Sequence, residues 1–210
     1  MSQFFQIHPA NPQARLIRQA CQIIHDGGVI ALPTDTCYAL ACHLDDREAV
    51  ERLRRIRGID ERQHLSLLVR DLSELSTFAK VDNGQYRLIK SVTPGPYAFI
   101  LEATKEVPRR LAHPSRKTIG LRVPDHAITL ALLETLGQPL LASTLIVPPD
   151  TMPMNDPEAI RERLEKQLDL VIDGGACACE PSTVIDLTSG MPQLVRAGLG
   201  SLQPFGLETA

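Results

Sequence analysis

The sequence predicts one α/β domain built on a mixed, twisted open sheet that is flanked by helices. Short apolar segments with β-branched residues alternate with segments whose apolar residues recur at helical spacing. The alternation is not strict, and hairpin-like neighbours at both ends favour mixed parallel and antiparallel pairing. The 210 residues, 43% of them hydrophobic, are enough to bury one sizeable core. We expect a single domain over residues 1–210, with a core of about residues 12–200, a short N-terminal edge segment and a C-terminal tail.

The first half of the chain begins with an edge strand at residues 4–7. Asn11-Pro12 then predicts a helix start with Asn11 as the N-cap, and Gly27 predicts its end. Asp45-Asp46 opens a second helix, which carries a dense set of arginines on its outer side. The spacing Asp71-x-x-Glu74 predicts a capping box at the start of a third helix.

Residues 28–32 are the clearest strand, because an apolar run stands between two glycines and a proline. Such a run predicts a strand that is buried on both faces, and Pro33 ends it because proline cannot donate to a ladder. Four polar side chains follow within five residues: Thr34, Asp35, Thr36 and Tyr38. Polar groups at the end of a buried strand predict a ligand site, and a turn with an Asx cap explains the same pattern.

The second half continues the alternation of strands and helices. Predicted strands cover residues 65–69, 97–101, 118–124, 140–144, 170–173, 182–187 and 193–196. Predicted helices cover residues 83–91, about 127–136 and 156–167. The cluster Thr93-Pro94-Gly95-Pro96 predicts a turn.

The composition excludes several classes of protein. The net charge of −3 excludes a strongly basic nucleic-acid binder, although it allows a local basic face. The spacing of the five cysteines fits no disulfide or zinc framework, and the histidines include no close pair, so we expect no metal held by protein side chains. The absence of a Gly-x-Gly-x-x-Gly or a phosphate-loop motif argues against those nucleotide sites. Without a long apolar run or leader in this sequence, we expect a cytoplasmic protein that binds no membrane.

Six segments, taken in order, resemble the YrdC-like domain, which is the fold of threonylcarbamoyl-AMP synthases. They are residues 33–40 (Pro-Thr-Asp-Thr-Cys-Tyr-Ala-Leu), 94–101, 120–124, 173–175, 182–186 and 195–198. Together they cover about residues 16–200. Residues 1–5, 70–76 and 105–110 look most like the YciO branch of that family. The resemblance implies a twisted sheet with a concave groove lined by positive charge.

The resemblance also implies a chemistry. In the synthases the groove takes ATP, bicarbonate and L-threonine, and a carbamate on the threonine amine attacks the α-phosphate and expels pyrophosphate. The adenylate product feeds threonylcarbamoyl modification of adenosine in tRNA. Because charge spreads over phosphate oxygens during such a displacement, catalysis rests on positioning and on cations, including Mg²⁺. The expected ligands are therefore ATP with Mg²⁺, the acyl-adenylate and L-threonine, with no resident prosthetic group.

The site residues that the resemblance implies fall into three groups. Catalytic roles fall to Thr36, Tyr38 and Arg57. The residues expected to bind substrate or nucleotide are Thr34, Tyr38, Arg57, Arg62, Ser66, Arg122, Ser143, Thr144, Ser182 and Arg196. The residues expected to contact RNA are Arg55, Arg109, Arg110, Arg116 and Lys117.

Two motifs of the synthases are altered. Their Lys-x-Arg-Pro stands here as residues 57–60, Arg-Gly-Ile-Asp, so the second cation is replaced by Ile59. Their Ser-x-Asn stands here as Ser143-Thr144-Leu145 and lacks the amide. Loss of one phosphate clamp costs about 2–4 kcal/mol of transition-state stabilisation, or roughly 30- to 1,000-fold in rate. Arg62 is a candidate for the missing charge.

Three functional hypotheses follow from these observations. The first is an enzyme of threonylcarbamoyl-adenylate chemistry, either a weak nucleotidyltransferase-type synthase or a hydrolase of the adenylate. The second is a non-catalytic module that binds double-stranded RNA or tRNA through phosphate contacts. The third is a protein whose arginines form solvated ion pairs. We expect a monomer or a weak homodimer in each case.

Overall fold

The computed structural model describes residues 2–60, 63, 65–113, 115 and 117–208, which form ten strands, six α-helices and one short 3₁₀ helix. The strands are β1 (Gln3–Gln6), β2 (Ile30–Leu32), β3 (Ala39–His43), β4 (Ser66–Leu68), β5 (Tyr97–Glu102), β6 (Thr118–Arg122), β7 (Leu140–Thr144), β8 (Leu170–Asp173), β9 (Thr183–Asp186) and β10 (Gln193–Arg196). The helices are α1 (Ala14–His25), α2 (Arg47–Arg57), α3 (Leu72–Phe78), α4 (Asn83–Val92), α5 (Ala127–Leu136) and α6 (Pro157–Leu164), and the 3₁₀ helix is Gln203–Phe205.

The ten strands form one sheet in the order β1-β8-β2-β3-β7-β4-β6-β5-β9-β10. The pairs β1/β8, β2/β8, β4/β6 and β5/β9 are parallel. The pairs β2/β3, β3/β7, β4/β7, β5/β6 and β9/β10 are antiparallel. The prediction of a mixed open sheet flanked by helices is therefore confirmed.

The two faces of this sheet bury two apolar clusters. Val29 and Ala31 point into one cluster, and Ile30 and Leu32 point into the other, because successive side chains of a strand face opposite sides. All four are fully buried. The prediction that residues 28–32 form a strand buried on both faces is confirmed, with the strand itself limited to β2.

The helices divide between the two faces. Helices α2, α3, α4 and α6 bury Leu53, Leu75, Ile89 and Ile160 against the first face. Helices α1 and α5 pack against each other on the second face. The cluster under α1 and α5 draws its strand residues from β2, β3, β4, β7 and β8. The part of the second face that belongs to β5, β6 and β9 lies beyond these two helices.

Four local predictions need correction. Helix α1 begins at Ala14 with Gln13 as its N-cap rather than Asn11. The reason is that the His8 ring accepts the backbone N–H of Ala10 at 3.2 Å and of Asn11 at 3.1 Å, which folds this segment into a turn. Helix α6 ends at Leu164, and residues 165–167 form a turn.

The third correction concerns the predicted capping box. Asp71 accepts the N–H of Glu74, whereas the Glu74 carboxylate accepts the N–H of Arg70 instead of that of Asp71. The fourth concerns β3, which the sequence analysis did not separate from the polar segment before it. Strand β3 pairs with both β2 and β7 and turns the chain back across the middle of the sheet.

Candidate functional site

The open part of the second face carries a pocket with a volume of about 260 Å³. Its floor is built by side chains two positions apart on neighbouring strands, such as Ser66 and Leu68, which stand beside Gly120 and Arg122 in the ladder. The intervening Leu67 and Leu121 point into the core on the other side. The pocket therefore follows from strand alternation on the part of the second face that lies beyond α1 and α5.

The small size of several floor residues leaves this space. Ala98, Gly120, Ala142 and Val184 line the pocket from four strands. A Cβ at Gly120 would lie 2.7 Å from the Ser66 Oγ and 3.2 Å from the carbonyl oxygen of Leu65. Gly120 is therefore required for the close approach of β4 and β6 at the floor of the pocket.

Three arginines converge on the pocket, and each one is the last residue of its element. Arg57 ends α2, Arg122 ends β6 and Arg196 ends β10. Gly58 adopts a left-handed conformation (φ +63°) and ends α2 directly after Arg57. Guanidinium groups stay protonated in proteins, so the pocket carries three fixed cations.

Arg57 is tied to the exit of β7. Its Nε donates to the Ser143 Oγ at 3.0 Å, and its Nη1 donates to the carbonyl oxygen of Ile146. Burial lowers the pKa of the Arg57 guanidinium below its ordinary value, and the nearby Arg196 charge acts in the same direction. Two like charges in a partly desolvated pocket are costly, and a bound anion would reduce that cost.

Arg122 is the most deeply buried of the three cations, at 7% exposure. Its Nη2 donates to the Asp35 carboxylate and to Thr36 Oγ1 at 3.1 Å, and lies 3.5 Å from Thr34 Oγ1. Residues 34–36 thus stand behind Arg122 and outside the pocket lining. The Nε of Arg122 and the Oδ2 of Asp35 are buried without a hydrogen-bond partner among the described residues.

Arg196 is held by the strand next to it. Its Nε and Nη2 donate to the carbonyl oxygen of Ser182 at 3.2 and 2.8 Å, and Nη2 lies 3.3 Å from Ser182 Oγ. The β9/β10 register shifts between Leu194 and Arg196, which places this arginine opposite Val184. Burial lowers the pKa of the Arg196 guanidinium, and Arg122 contributes to the same effect.

Tyr38 lines the pocket but commits its hydroxyl to the backbone. The hydroxyl donates to the carbonyl oxygen of Gly175 at 2.9 Å and accepts the N–H of Gly174 at 3.3 Å. Burial raises the pKa of this phenol, so Tyr38 is neutral at physiological pH. In this conformation Tyr38 fastens the loop after β8 to the wall of the pocket.

The structure brings most of the predicted substrate residues together. Eight of them line the pocket: Tyr38, Arg57, Ser66, Arg122, Ser143, Thr144, Ser182 and Arg196. Thr34 and Thr36 contact Arg122 from behind. Arg62 and Arg116 lie outside the described residues.

The predicted RNA-contacting residues lie elsewhere. Arg55 is exposed and lines a shallow cleft that also contains Asp46, Glu48 and Glu51. Arg110 donates to the carbonyl oxygen of Leu44 at 2.9 Å. Arg109 and Lys117 are exposed on the connection between β5 and β6. None of these four cations lines the pocket.

The sequence analysis missed the apolar and neutral lining of the pocket. The missed residues are Cys37, Ala39, Gln63, Leu68, Ala98, Ile100, Gly120, Ala142 and Val184. Alternation of small residues along β5, β6 and β7 was the available signal. Both altered motif positions are now placed: Ile59 contributes an apolar wall to the pocket, and Leu145 is fully buried in the core.

The chemistry of this arrangement suits an anionic ligand. Planar guanidinium groups suit bidentate contacts with phosphate or carboxylate, and the neighbouring hydroxyls of Ser143, Thr144 and Ser182 can complete such a ligand's hydrogen bonds. The described residues contain no group of three or more His, Cys, Asp or Glu side chains that could hold a metal ion. No helix in the described part of the chain is long and apolar enough to cross a membrane.

Comparisons with known proteins show the family to which the chain belongs. The family model Sua5/YciO/YrdC, described as "Telomere recombination", matches residues 22–198. The uncharacterized protein YciO of Escherichia coli K12 is 55% identical over 205 residues, which cover 98% of this chain and 100% of that protein. The threonylcarbamoyl-AMP synthase of Bos taurus is 30% identical over 94% of this chain and 77% of its own length.

Solved structures give the same result. The crystal structure of E. coli YciO matches with a TM-score of 0.95 over 98% of this chain and all of that one. The crystal structure of Pyrococcus abyssi Sua5 complexed with L-threonine matches with a TM-score of 0.85 and 28% identity, over 93% of this chain and 57% of that one. The chain therefore belongs to the Sua5/YciO/YrdC family and is related to the threonylcarbamoyl-AMP synthases.

Proposed function

We propose that this protein binds a nucleotide or acyl-adenylate together with L-threonine and carries out threonylcarbamoyl-adenylate chemistry in a weakened or altered form, with hydrolysis of the adenylate as the altered reaction. The observation that carries the proposal is the convergence of Arg57, Arg122 and Arg196 on one pocket. Among the described residues, Asp35 is the carboxylate that pairs with one of these three buried or half-buried cations, so the cations leave an excess of positive charge that an anionic ligand would balance.

The relatives support the choice of ligand. Threonylcarbamoyl-AMP synthase is the name of the bovine relative, and the P. abyssi protein was crystallised with L-threonine. Four of the eight predicted residues that line this pocket, Tyr38, Arg122, Ser182 and Arg196, belong to the segments on which the resemblance to that family rests. Arg57, Ser143 and Thr144 belong to the two altered motifs. Threonylcarbamoyl-adenylate offers the free carboxylate of its threonine part and one phosphate, which are the two groups that guanidinium forks bind best.

The altered motifs are the reason to propose a weakened or different reaction. Ile59 places an apolar wall where the synthases have a cation, and Leu145 packs into the core where they have an amide. Stabilisation of a leaving pyrophosphate depends on such cations. Without them the pocket favours a ligand with one phosphate over a triphosphate. Any Mg²⁺ would arrive on the phosphates of the nucleotide.

Calorimetric titration tests the proposal with AMP, with ATP and Mg²⁺, and with L-threonine. We expect AMP to bind the wild type, and Arg196→Ala to weaken that binding by at least tenfold because it removes one pocket cation. Arg109→Ala is the matched control, since it removes an exposed arginine outside the pocket, and it should leave AMP affinity unchanged. Absence of binding by the wild type to all three ligands would contradict the proposal.

The second candidate function is binding of double-stranded RNA or tRNA. The exposed Arg109 and Lys117 on the connection between β5 and β6 favour it, because solvated cations can pair with RNA phosphates. The acidic neighbours of Arg55 oppose an extension of that surface. A gel shift with tRNA at low salt separates the two functions: RNA binding predicts that Arg109→Ala weakens the shift and Arg196→Ala does not.

A further inference from the structure

The carboxylate behind Arg122 has a role that the proposed function does not use. Asp35 is one of the least exposed carboxylates of the described chain, with a side chain at 12% exposure, and it stands against an arginine side chain at 8%. It does not line the pocket. A charge in this place acts on a ligand only through Arg122 and through its electric field.

The first of these effects, the action through Arg122, is visible in the contacts of its guanidinium. Arg122 Nη2 meets three acceptors in one short segment, namely the carboxylate of Asp35 and the hydroxyls of Thr34 and Thr36. Thr34 Oγ1 in turn donates to the carbonyl oxygen of Cys37 at 2.7 Å and lies 3.1 Å from Thr36 Oγ1. These hydrogen bonds tie the segment together, and the segment holds the guanidinium through Nη2 while Arg122 also lines the pocket.

Whereas the contacts of Asp35 orient Arg122 toward a ligand, the negative charge of Asp35 lowers the affinity of the pocket for an anion. Its carboxylate pairs with Arg122, one of the three pocket arginines, and opposes the field with which that cation attracts an anion. Buried pairs of this kind are poorly screened by salt. A pocket with three uncompensated arginines would bind any small anion, including free phosphate.

We propose that Asp35 is a positioning residue that orients Arg122 and, by its charge, lowers the affinity of the pocket for simple anions, so that inorganic phosphate competes poorly with the larger ligand. This inference rests on the proposed function, because it assumes that the pocket takes an anionic ligand. A ligand that also contacts Arg57, Arg196 and the hydroxyls retains enough interactions to bind in spite of Asp35, whereas free phosphate does not.

The test measures the dissociation constant of inorganic phosphate by calorimetry in low-salt buffer. Asp35→Asn keeps the shape and one acceptor for Nη2 but removes the charge, so we expect phosphate to bind roughly tenfold more tightly. Thr36→Val removes an acceptor and no charge, so we expect phosphate to bind several-fold more weakly. Asp125→Asn is the matched control, because it removes the charge of an exposed carboxylate three residues after Arg122, and it should change the affinity less than twofold.

The outcomes are distinguishable. If the wild type binds AMP and Asp35→Asn binds phosphate no better than the wild type, the inference is wrong and the proposed function stands. If Asp35→Asn binds phosphate tightly but no form of the protein binds AMP or L-threonine, the proposed function fails and the charge effect of Asp35 stands. A loss of phosphate affinity in both variants would mean that Asp35 is only structural. Thermal unfolding of each variant verifies that it is folded, and Thr36→Val tests the positioning role should Asp35→Asn not fold.

Discussion

The two halves of one sheet face differ in what covers them. On β2, β7 and β8 the side chains of Ile30, Leu32, Leu140 and Ile172 are large and apolar, and α1 and α5 bury them. On β4, β5, β6 and β9 the same face mixes small side chains with Leu68 and Ile100, and arginines end β6 and β10. The hydrogen-bonded ladder is continuous across both halves. The difference indicates that side-chain size and charge, rather than strand pairing, distinguish the closed half from the half that carries the pocket.

The largest expected effect is on stability in the closed half. Leu132→Ala in α5 removes a fully buried side chain from the cluster under α1, and we expect it to lower the free energy of unfolding by about 2–5 kcal/mol. Chemical denaturation measures this loss. Leu130→Ala makes the same change at a half-buried position of the same helix and should cost clearly less. Equal losses of unfolding free energy in Leu132→Ala and Leu130→Ala would contradict the conclusion that α5 buries its Leu132 face against the sheet.

The second prediction concerns the open half. Arg57→Ala should weaken AMP binding by about 10- to 100-fold, because it removes a pocket cation, while the free energy of unfolding changes little since a partly desolvated charge is also removed. Calorimetry and denaturation measure the two quantities. Arg55→Ala, on the exposed side of the same helix, should change neither. If Arg57→Ala lowers the free energy of unfolding enough to explain the whole loss of AMP binding, the open half contributes to stability in the same way as the closed half and the prediction is wrong.

The third prediction uses a thiol of the closed half. Burial raises the pKa of Cys21 to about 11 from an ordinary value of 9.0, so the unfolded chain loses this proton first as the pH rises. The stability due to Cys21 is therefore complete below pH 9 and declines above it, by about 1 kcal/mol at pH 10. Denaturation at pH 8 and pH 10 should show a smaller difference for Cys21→Ala than for the wild type. If the free energy of unfolding of Cys21→Ala changes between pH 8 and pH 10 as much as that of the wild type, Cys21 is solvated in the folded protein.

The smallest effect is expected where the two halves meet. His126 is the N-cap of α5, and burial lowers the pKa of its ring, an effect that Asp35 and Asp125 oppose and Arg122 reinforces. The unfolded chain therefore binds the proton first as the pH falls below about 6.5, and the free energy of unfolding decreases in that range. Denaturation of His126→Gln between pH 7 and pH 5.5 should show a weaker pH dependence. A steeper dependence would mean that the folded state favours the charged ring.

Local sequence patterns predicted most elements because their causes are local. Asp46 caps α2, Asp82 caps α4 and Gly137 ends α5 through contacts within a few residues. The start of α1 was misassigned because the His8 ring competes for the backbone of residues 10–11. Strand β3 was missed because its partners β2 and β7 stabilise it from both sides, which only the folded sheet provides.

The pocket residues also divide into those that local sequence patterns identify and those that only the folded sheet brings together. Arginines near the ends of predicted elements were identified from the sequence, and Arg57, Arg122 and Arg196 do line the pocket. The contact of Thr34, Asp35 and Thr36 with Arg122 was not predicted, because it depends on the position of β6 relative to a loop far away in the chain. The apolar floor was missed for the same reason, since Ala98 and Val184 become neighbours only through the parallel pairing of β5 and β9.

The sequence by itself determined the alternation of strands and helices, the family, and the loss of a cation and an amide at Ile59 and Leu145. The tertiary structure alone decided which half of the sheet face stays uncovered and which three arginines meet there. The physical reason is that periodicity and capping act over a few residues, whereas strand order and helix placement depend on burial of apolar surface across the whole chain. Whether an arginine is a solvated charge or part of an anion site therefore depends on its neighbours in space.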